Sequence, residues 1–82
     1  MKPKINDYIW TIYEDEILLE KVWFIGEKSF LIYYNLLNPE YDYNDYNKTW
    51  WKSFEKAKTE MRKRYGKNIK FKKIKDGWWR IE

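Results

Sequence analysis

Ile17-Leu18-Leu19-Glu20-Lys21-Val22-Trp23-Phe24-Ile25, then the polar turn Gly26-Glu27-Lys28, then Ser29-Phe30-Leu31-Ile32-Tyr33-Tyr34-Asn35-Leu36-Leu37, is the stretch on which the fold class turns. Both apolar runs are rich in β-branched and aromatic residues, and a three-residue polar break separates them, which is the pattern of two antiparallel strands. Val22, Trp23, Phe24 and Ile25 are consecutive, so the strict alternation of a half-exposed strand is missing. We read this as a strand buried on both faces, as a small closed barrel would require.

Working outward, Ile5 to Tyr13 is a third run of the same kind, ended by Glu14-Asp15-Glu16. Asn38 to Lys48, with its Pro, Asn and Asp between tyrosines, reads as a loop. Ser53 then opens the one helix, because its hydroxyl can cap the first turn and Glu55 lies near the positive end of the helix dipole. Phe54, Ala57, Met61 and Tyr65 form a single apolar stripe, and Gly66 supplies a left-handed stop. Asn68 to Lys75 returns to strand character, with Ile74 out of phase as a bulge would leave it. Asp76-Gly77 is a hairpin signal leading into a strand from Trp78 to Ile81. The expected order is β-β-β-loop-α-β-β: an α+β, mainly β, five-stranded antiparallel barrel with one amphipathic helix between strands 3 and 4. The 82 residues make one domain, 1–82, since two cores do not fit in so short a chain. Its expected core is Ile9, Val22, Phe24, Ile32, Ala57, Met61 and Trp79.

Composition narrows the chemistry. The chain has no cysteine and no histidine, which removes disulfides, thiolate sites, histidine general bases and nearly all transition-metal sites. Asp42-x-Asn44-Asp45 lacks the alternating ligands, glycine and distant Glu of a calcium loop. Three glycines form no phosphate-binding loop, and Glu14 and Glu16 sit in a turn with nothing to separate their pKa values. We therefore expect no enzyme activity, no metal and no cofactor. No apolar run is long enough to span a bilayer, and Met-Lys-Pro-Lys at the start is not followed by an apolar segment, so a cytoplasmic protein without membrane contact is expected. The net charge of +4 is unevenly spread. Met1 to Tyr46 carries four Lys against nine acids, and Asn47 to Glu82 thirteen Lys/Arg against four. Such a dipolar chain either neutralises itself or shows a basic surface to an anionic partner.

Asn6-Asp7-Tyr8-Ile9-Trp10, Ile17 and Glu20-Lys21-Val22-Trp23-Phe24-Ile25-Gly26 resemble the opening of small SH3-like barrels encoded by phages and Firmicute mobile elements. Trp50-Trp51-Lys52-Ser53-Phe54-Glu55-Lys56-Ala57-Lys58 is similar to the helix start that follows the third strand in those proteins. Asn6 stands where they usually carry Gly, and the Tyr/Asn loop is longer. The resemblance implies an SH3-like fold and a mobile-element setting, in which proteins of this size are often inhibitors of host defence, anti-CRISPR proteins among them.

Two surfaces stand out as candidate sites. One is the acidic-aromatic loop: Tyr41, Asp42, Tyr43, Asp45 and Tyr46, continuing to Trp50 and Trp51. Tyrosine and tryptophan give large contact area at low entropy cost, and the two aspartates suit a positively charged partner such as a nuclease groove. The bland alternative is that Trp50 or Trp51 caps the barrel and the tyrosines pack over it. The other surface is basic: Lys52, Lys56, Arg62, Lys63, Lys67, Lys70 and Lys72, with Lys58, Lys73 and Lys75 nearby. Cations beside aromatics are the ingredients of a single-strand nucleic-acid groove, whereas lysines alternating along an edge strand are also ordinary solvated residues. The expected function is a non-enzymatic protein-binding module that occupies a functional surface of a host protein, a nuclease or ribonucleoprotein effector. A nucleic-acid-binding accessory domain and a self-associating particle component are the alternatives, and the sequence leaves the oligomeric state open.

Overall fold

The computed structural model describes residues 2–33 and 39–82. Seven strands and one helix lie among them: β1 (Tyr8–Tyr13), β2 (Glu16–Ile25), β3 (Ser29–Ile32), β4 (Glu40–Asp42), β5 (Trp50–Trp51), α1 (Phe54–Tyr65), β6 (Phe71–Lys75) and β7 (Trp78–Ile81). The protein is mainly β, and its antiparallel sheet curls into a half-barrel. The order across the sheet is β4-β3-β2-β1-β5, with β7 also paired to β2 and β6 to β7. The end of the expected third strand, residues 34–37, lies outside the described residues.

The curl follows from β2. One of its edges pairs with β1 from Tyr8↔Lys21 to Tyr13↔Glu16. The other edge is shared: β7 takes the first part (Ile17↔Trp79) and β3 the last (Val22↔Ile32). A ten-residue strand serving two different partners along one edge must bend between them, and a bulge between Val22 and Phe24 adds local twist.

Side chains alternate along β1, so its two faces build two cores. Ile9 joins Val22, Phe30, Ile32, Tyr43 and Trp50 inside the curl. Trp10 and Ile12 point the other way and pack with Ile17, Trp51, Ala57 and Met61 beneath α1. The two-residue β5 is split in the same manner, with Trp50 opposite Thr11 and Trp51 opposite Trp10. One indole therefore fills each core, and both are essentially inaccessible.

The helix forms where the sequence places it. The Ser53 hydroxyl accepts the Lys56 N–H at 3.0 Å, and Ala57 and Met61 are fully buried. Phe54 stacks between Trp10 (4.8 Å) and Trp79 (5.0 Å). Tyr65 is half exposed but donates its hydroxyl to the Glu14 carbonyl at 3.0 Å, anchoring the far end of α1 to the β1–β2 turn. Gly66 stops the helix at φ 120°, ψ 153°, a positive-φ extended conformation rather than the left-handed helical one expected. The Asp76-Gly77 hairpin forms, with Gly77 at φ 78°, and the register shift falls between Lys73 and Lys75, where Ile74 was out of phase.

Three expectations are corrected. The barrel has seven strands among the described residues, not five, because the segment read as a loop holds β4, a 3₁₀ turn over Tyr43–Asp45 and the start of the chain into β5. β2 is not buried on both faces: Lys21, Trp23 and Phe24 are exposed. Phe24, at 50% exposure, is therefore not a core residue; the bulge turns it outward. Trp79 is half-buried under α1, and Ile9, Val22, Ile32, Ala57 and Met61 are buried.

These placements make opposite predictions for two aromatic residues. Trp50→Ala empties the inner core and leaves the Asp42 carbonyl without its indole donor (2.8 Å), so we expect a loss of about 3–5 kcal/mol. Phe24→Ala should stay within about 0.5 kcal/mol of the parent. Urea denaturation followed by tryptophan fluorescence separates the two.

Candidate functional site

The loop expected to stand in solvent is folded into the barrel. Tyr43 is 7% exposed and donates its hydroxyl to the Gly26 carbonyl at 2.6 Å. Phe30 lies between Tyr41 and Tyr43, stacked with each at 5.9 and 5.8 Å, and meets Trp50 edge-on at 4.9 Å. Tyr46 leans on Trp50 at 4.8 Å. Tyr43, Trp50 and Trp51 are thus core residues, and Tyr41 and Tyr46 are half-buried beside them. Asp42 is exposed and Asp45 half-buried. The Asp45 carbonyl closes the turn by accepting the N–H groups of Lys48 and Thr49 at 2.8 and 3.0 Å. The physical reason is packing: the rings of Tyr41, Tyr43 and Trp50 close around Phe30, which is fully buried.

Exposed aromatic surface lies elsewhere. In a regular strand Trp23 and Phe24 would point to opposite faces. The bulge breaks the alternation, and the two are 45% and 50% exposed with their rings 6.0 Å apart. The backbone pairs Asn6 N–Val22 O and Val22 N–Asp7 O, both 2.8 Å, hold the start of the chain against this bulge. Asn6 adopts φ 75° there, a conformation that Asn tolerates better than most residues. The adjoining Ile5 and Tyr8 are 56% and 57% exposed, and Tyr33, just past β3, is 58% exposed. Tyr8 sits directly opposite Lys21, so both share this outer face.

The basic residues behave as a solvated set. Lys52, Lys56, Lys63, Lys67, Lys70 and Lys72 are exposed and Arg62 is half-buried, its guanidinium 5.6 Å from the Phe71 ring. Lys56 lies 5.7 Å from the Tyr46 ring. Of the thirteen Lys/Arg after Tyr46, Lys58, Arg64, Lys73 and Arg80 reach a carboxylate within 4.0 Å. The other nine have no carboxylate partner among the described residues.

Inside the curl is a residue that the strand reading passed over. Glu20 is only 9% exposed and lines a cavity of about 270 Å³ with Thr11, Ile12, Tyr13, Leu18, Ile32, Pro39 and Tyr41. No salt bridge reaches it among the described residues. Burial pushes its carboxyl up to about 7, and burial together with the Glu20 charge raises the Tyr41 phenol, against a smaller lowering by the Thr11 hydroxyl. The signal was present in the alternation: Leu18, Glu20 and Val22 share one face of β2, and that face is the interior.

Comparison with known family models, curated proteins and solved structures found no match to this chain. Among the described residues no helix is long and apolar enough to cross a membrane.

Glu20 sets a pH dependence. Its folded pKa lies above that of an unfolded glutamate, so the native state holds the proton more tightly. Stability from this group is full below about pH 4.5, the ordinary value, and is lost as pH rises to about 7. Glu20→Gln should therefore raise the melting temperature at about pH 8, and the gain should shrink toward zero near pH 4. Thermal melts of both proteins across that range check it.

Proposed function

We propose that this domain is a non-enzymatic protein-binding module whose contact surface is the outer face carrying Ile5, Tyr8, Trp23, Phe24 and Tyr33. The observation that carries the reading is the β2 bulge. It takes two adjacent large aromatics, which alternation would divide between the two faces, and leaves both in solvent. Exposed aromatic groups of this kind lower solubility unless a partner covers them, and Trp and Tyr dominate binding hot spots. Lys21 stands in this face opposite Tyr8, while the Asp7 carboxylate beside it accepts the Lys4 backbone N–H, so the fitting partner is a protein with an apolar patch bordered by carboxylates. A second copy of this chain fits less well, because a two-fold contact brings the same face of each copy together and sets Lys21 near its own equivalent.

We take the fold to be a variant of the SH3-like barrel. The β1–β2–β3 meander, the helix placed before the last hairpin and the curled sheet support that reading. A phage or mobile-element inhibitor of host defence is the biological setting in which such a module would serve. The narrower expectation of a nuclease groove rested on Tyr41 to Tyr46 standing out in solvent, and those residues are largely occupied with the core.

The test is a paired capture from nuclease-treated host lysate. A specific partner should be retained by the parent and lost from Trp23→Ala/Phe24→Ala, with the melting temperature of the variant unchanged within a few degrees. Partner retention by the double variant overturns the reading, and concentration-dependent dimerisation that the same variant abolishes reassigns the face to self-association.

The nine cations without carboxylate partners among the described residues favour one second reading, a weak polyanion-binding surface across α1, β6 and the segments before and between them. Here a labelled single-stranded oligonucleotide should bind at about 10⁻⁴–10⁻⁶ M near physiological salt, with affinity falling steeply as salt rises. Lys56→Glu/Lys63→Glu/Lys67→Glu should abolish binding in fluorescence anisotropy. A salt-independent or sequence-selective complex would contradict a purely electrostatic surface.

A further inference from the structure

The cavity around Glu20 is not used by either surface above. It is an apolar chamber, with Leu18, Ile32 and Pro39 in its walls, and it carries three polar groups: the Glu20 carboxyl, the Thr11 hydroxyl and the Tyr41 phenol. Thr11 is 4% exposed and Glu20 9%, so both are withdrawn from bulk water yet open to the cavity. No Lys or Arg among the described residues lines it. A carboxyl in such a place is costly to ionise, and the cost is recovered only when a cation or donor is brought to it.

We propose that this cavity is a binding site for an alkylammonium group, its ammonium paired with Glu20 and its apolar stem against Leu18, Ile32 and Pro39. Three features point to that chemistry. The lining of this cavity offers one carboxylate and no cation, and Lys75, which borders the adjoining cavity with Glu20, lies over the Trp78 ring at 5.6 Å. The cavity's lining includes two tyrosines, Tyr41 from β4 and Tyr13 from β1, and phenol rings attract ammonium ions. Its volume, about 270 Å³, lies just under the usual range for ligand pockets and suits a single short stem rather than a larger ligand. Tyr13 and Tyr41 share the cavity lining with Glu20, and Lys75 and Asp76 line an adjoining cavity that Glu20 also borders, so Glu20 is the one carboxyl in this cavity that a ligand's charge would meet. Burial already holds its carboxyl near neutrality, and a bound ammonium would draw the proton off. The same chemistry is offered by a free small amine and by a lysine side chain.

The experiment is a titration of ¹⁵N-labelled protein at about pH 8 with n-butylammonium, with n-butanol as the neutral counterpart and with Nα-acetyllysine amide. Saturable shifts should appear at Thr11, Leu18, Glu20 and Ile32 with n-butylammonium and be about tenfold weaker or more with n-butanol and in Glu20→Gln. Binding of n-butylammonium alone assigns the site to a free amine, and binding of both cations to a lysine side chain. The midpoint of the Glu20 side-chain ¹³C titration should fall when n-butylammonium is present. That measurement uses the unsubstituted protein, so it decides the question even if Glu20→Gln folds poorly. Equal binding of n-butanol, shifts confined to exposed acids such as Glu14 and Glu27, or an unmoved Glu20 midpoint would each overturn the proposal.

Discussion

The structure depends on two adjacent indoles facing opposite ways. β5 is only two residues long, and alternation sends Trp50 into the curled sheet and Trp51 beneath the helix. The β1–β5 ladder is therefore a wall common to both cores. Neither core is large enough to be independent in a domain of this size, and the wall couples them, since displacing the β5 backbone disturbs both at once. Trp50 extends the effect by donating to the Asp42 carbonyl, which holds the chain after β4 against the barrel, and Phe54 extends it by joining Trp10 to Trp79 at the start of the helix.

What could be read from the sequence was local. Ser53, the Asp76-Gly77 hairpin and the out-of-phase Ile74 act through neighbours within a few residues, and the structure places each of them as its own chemistry demands. What could not be read was long-range. The position of the β2 bulge is set by pairing with β3, so no property of Val22-Trp23-Phe24-Ile25 taken alone distinguishes a two-sided core strand from one that turns two aromatics outward. The Tyr41–Trp51 region failed for the complementary reason. Aromatic residues suited to an interface are equally suited to a core, and which role they take depends on whether the rest of the chain supplies enough aliphatic volume to fill the barrel. Here Tyr43 and Trp50 take the core role. Glu20 was half legible: its phase with Leu18 and Val22 marks it as interior, but the cavity it faces is made by Thr11, Ile32 and Tyr41 from three other strands.

The uneven charge of the chain has a structural counterpart. The helix and the last hairpin carry the basic residues on their outer faces, while the aromatic outer surface belongs to the meander of β1, β2 and β3. The two sets are therefore carried by different elements, and a partner recognised by apolar contact need not compete with one held by charge. β6 adds a further distinction. Among the described residues it is an edge strand paired with β7 alone, and its exposed Lys72, Lys73 and Lys75 discourage another strand from adding there.

The bent β2 strand also orders events in time. Its first half finds its outer neighbour in β7, where Ile17 pairs with Trp79, whereas its pairing with β1 and β3 is with immediate neighbours in sequence. On a ribosome adding roughly 5–20 residues each second, the meander emerges first and has partners at once. The Glu16–Leu18 edge stays without its outer neighbour until Trp78 to Arg80 have cleared the exit tunnel. Closing that loop carries a larger entropic cost than closing either hairpin of the meander. The β2–β7 pairing thus spans far more of the chain than the pairings of β2 with β1 and β3, and the Trp78–Ile81 strand is the element whose docking covers the first part of that edge of β2.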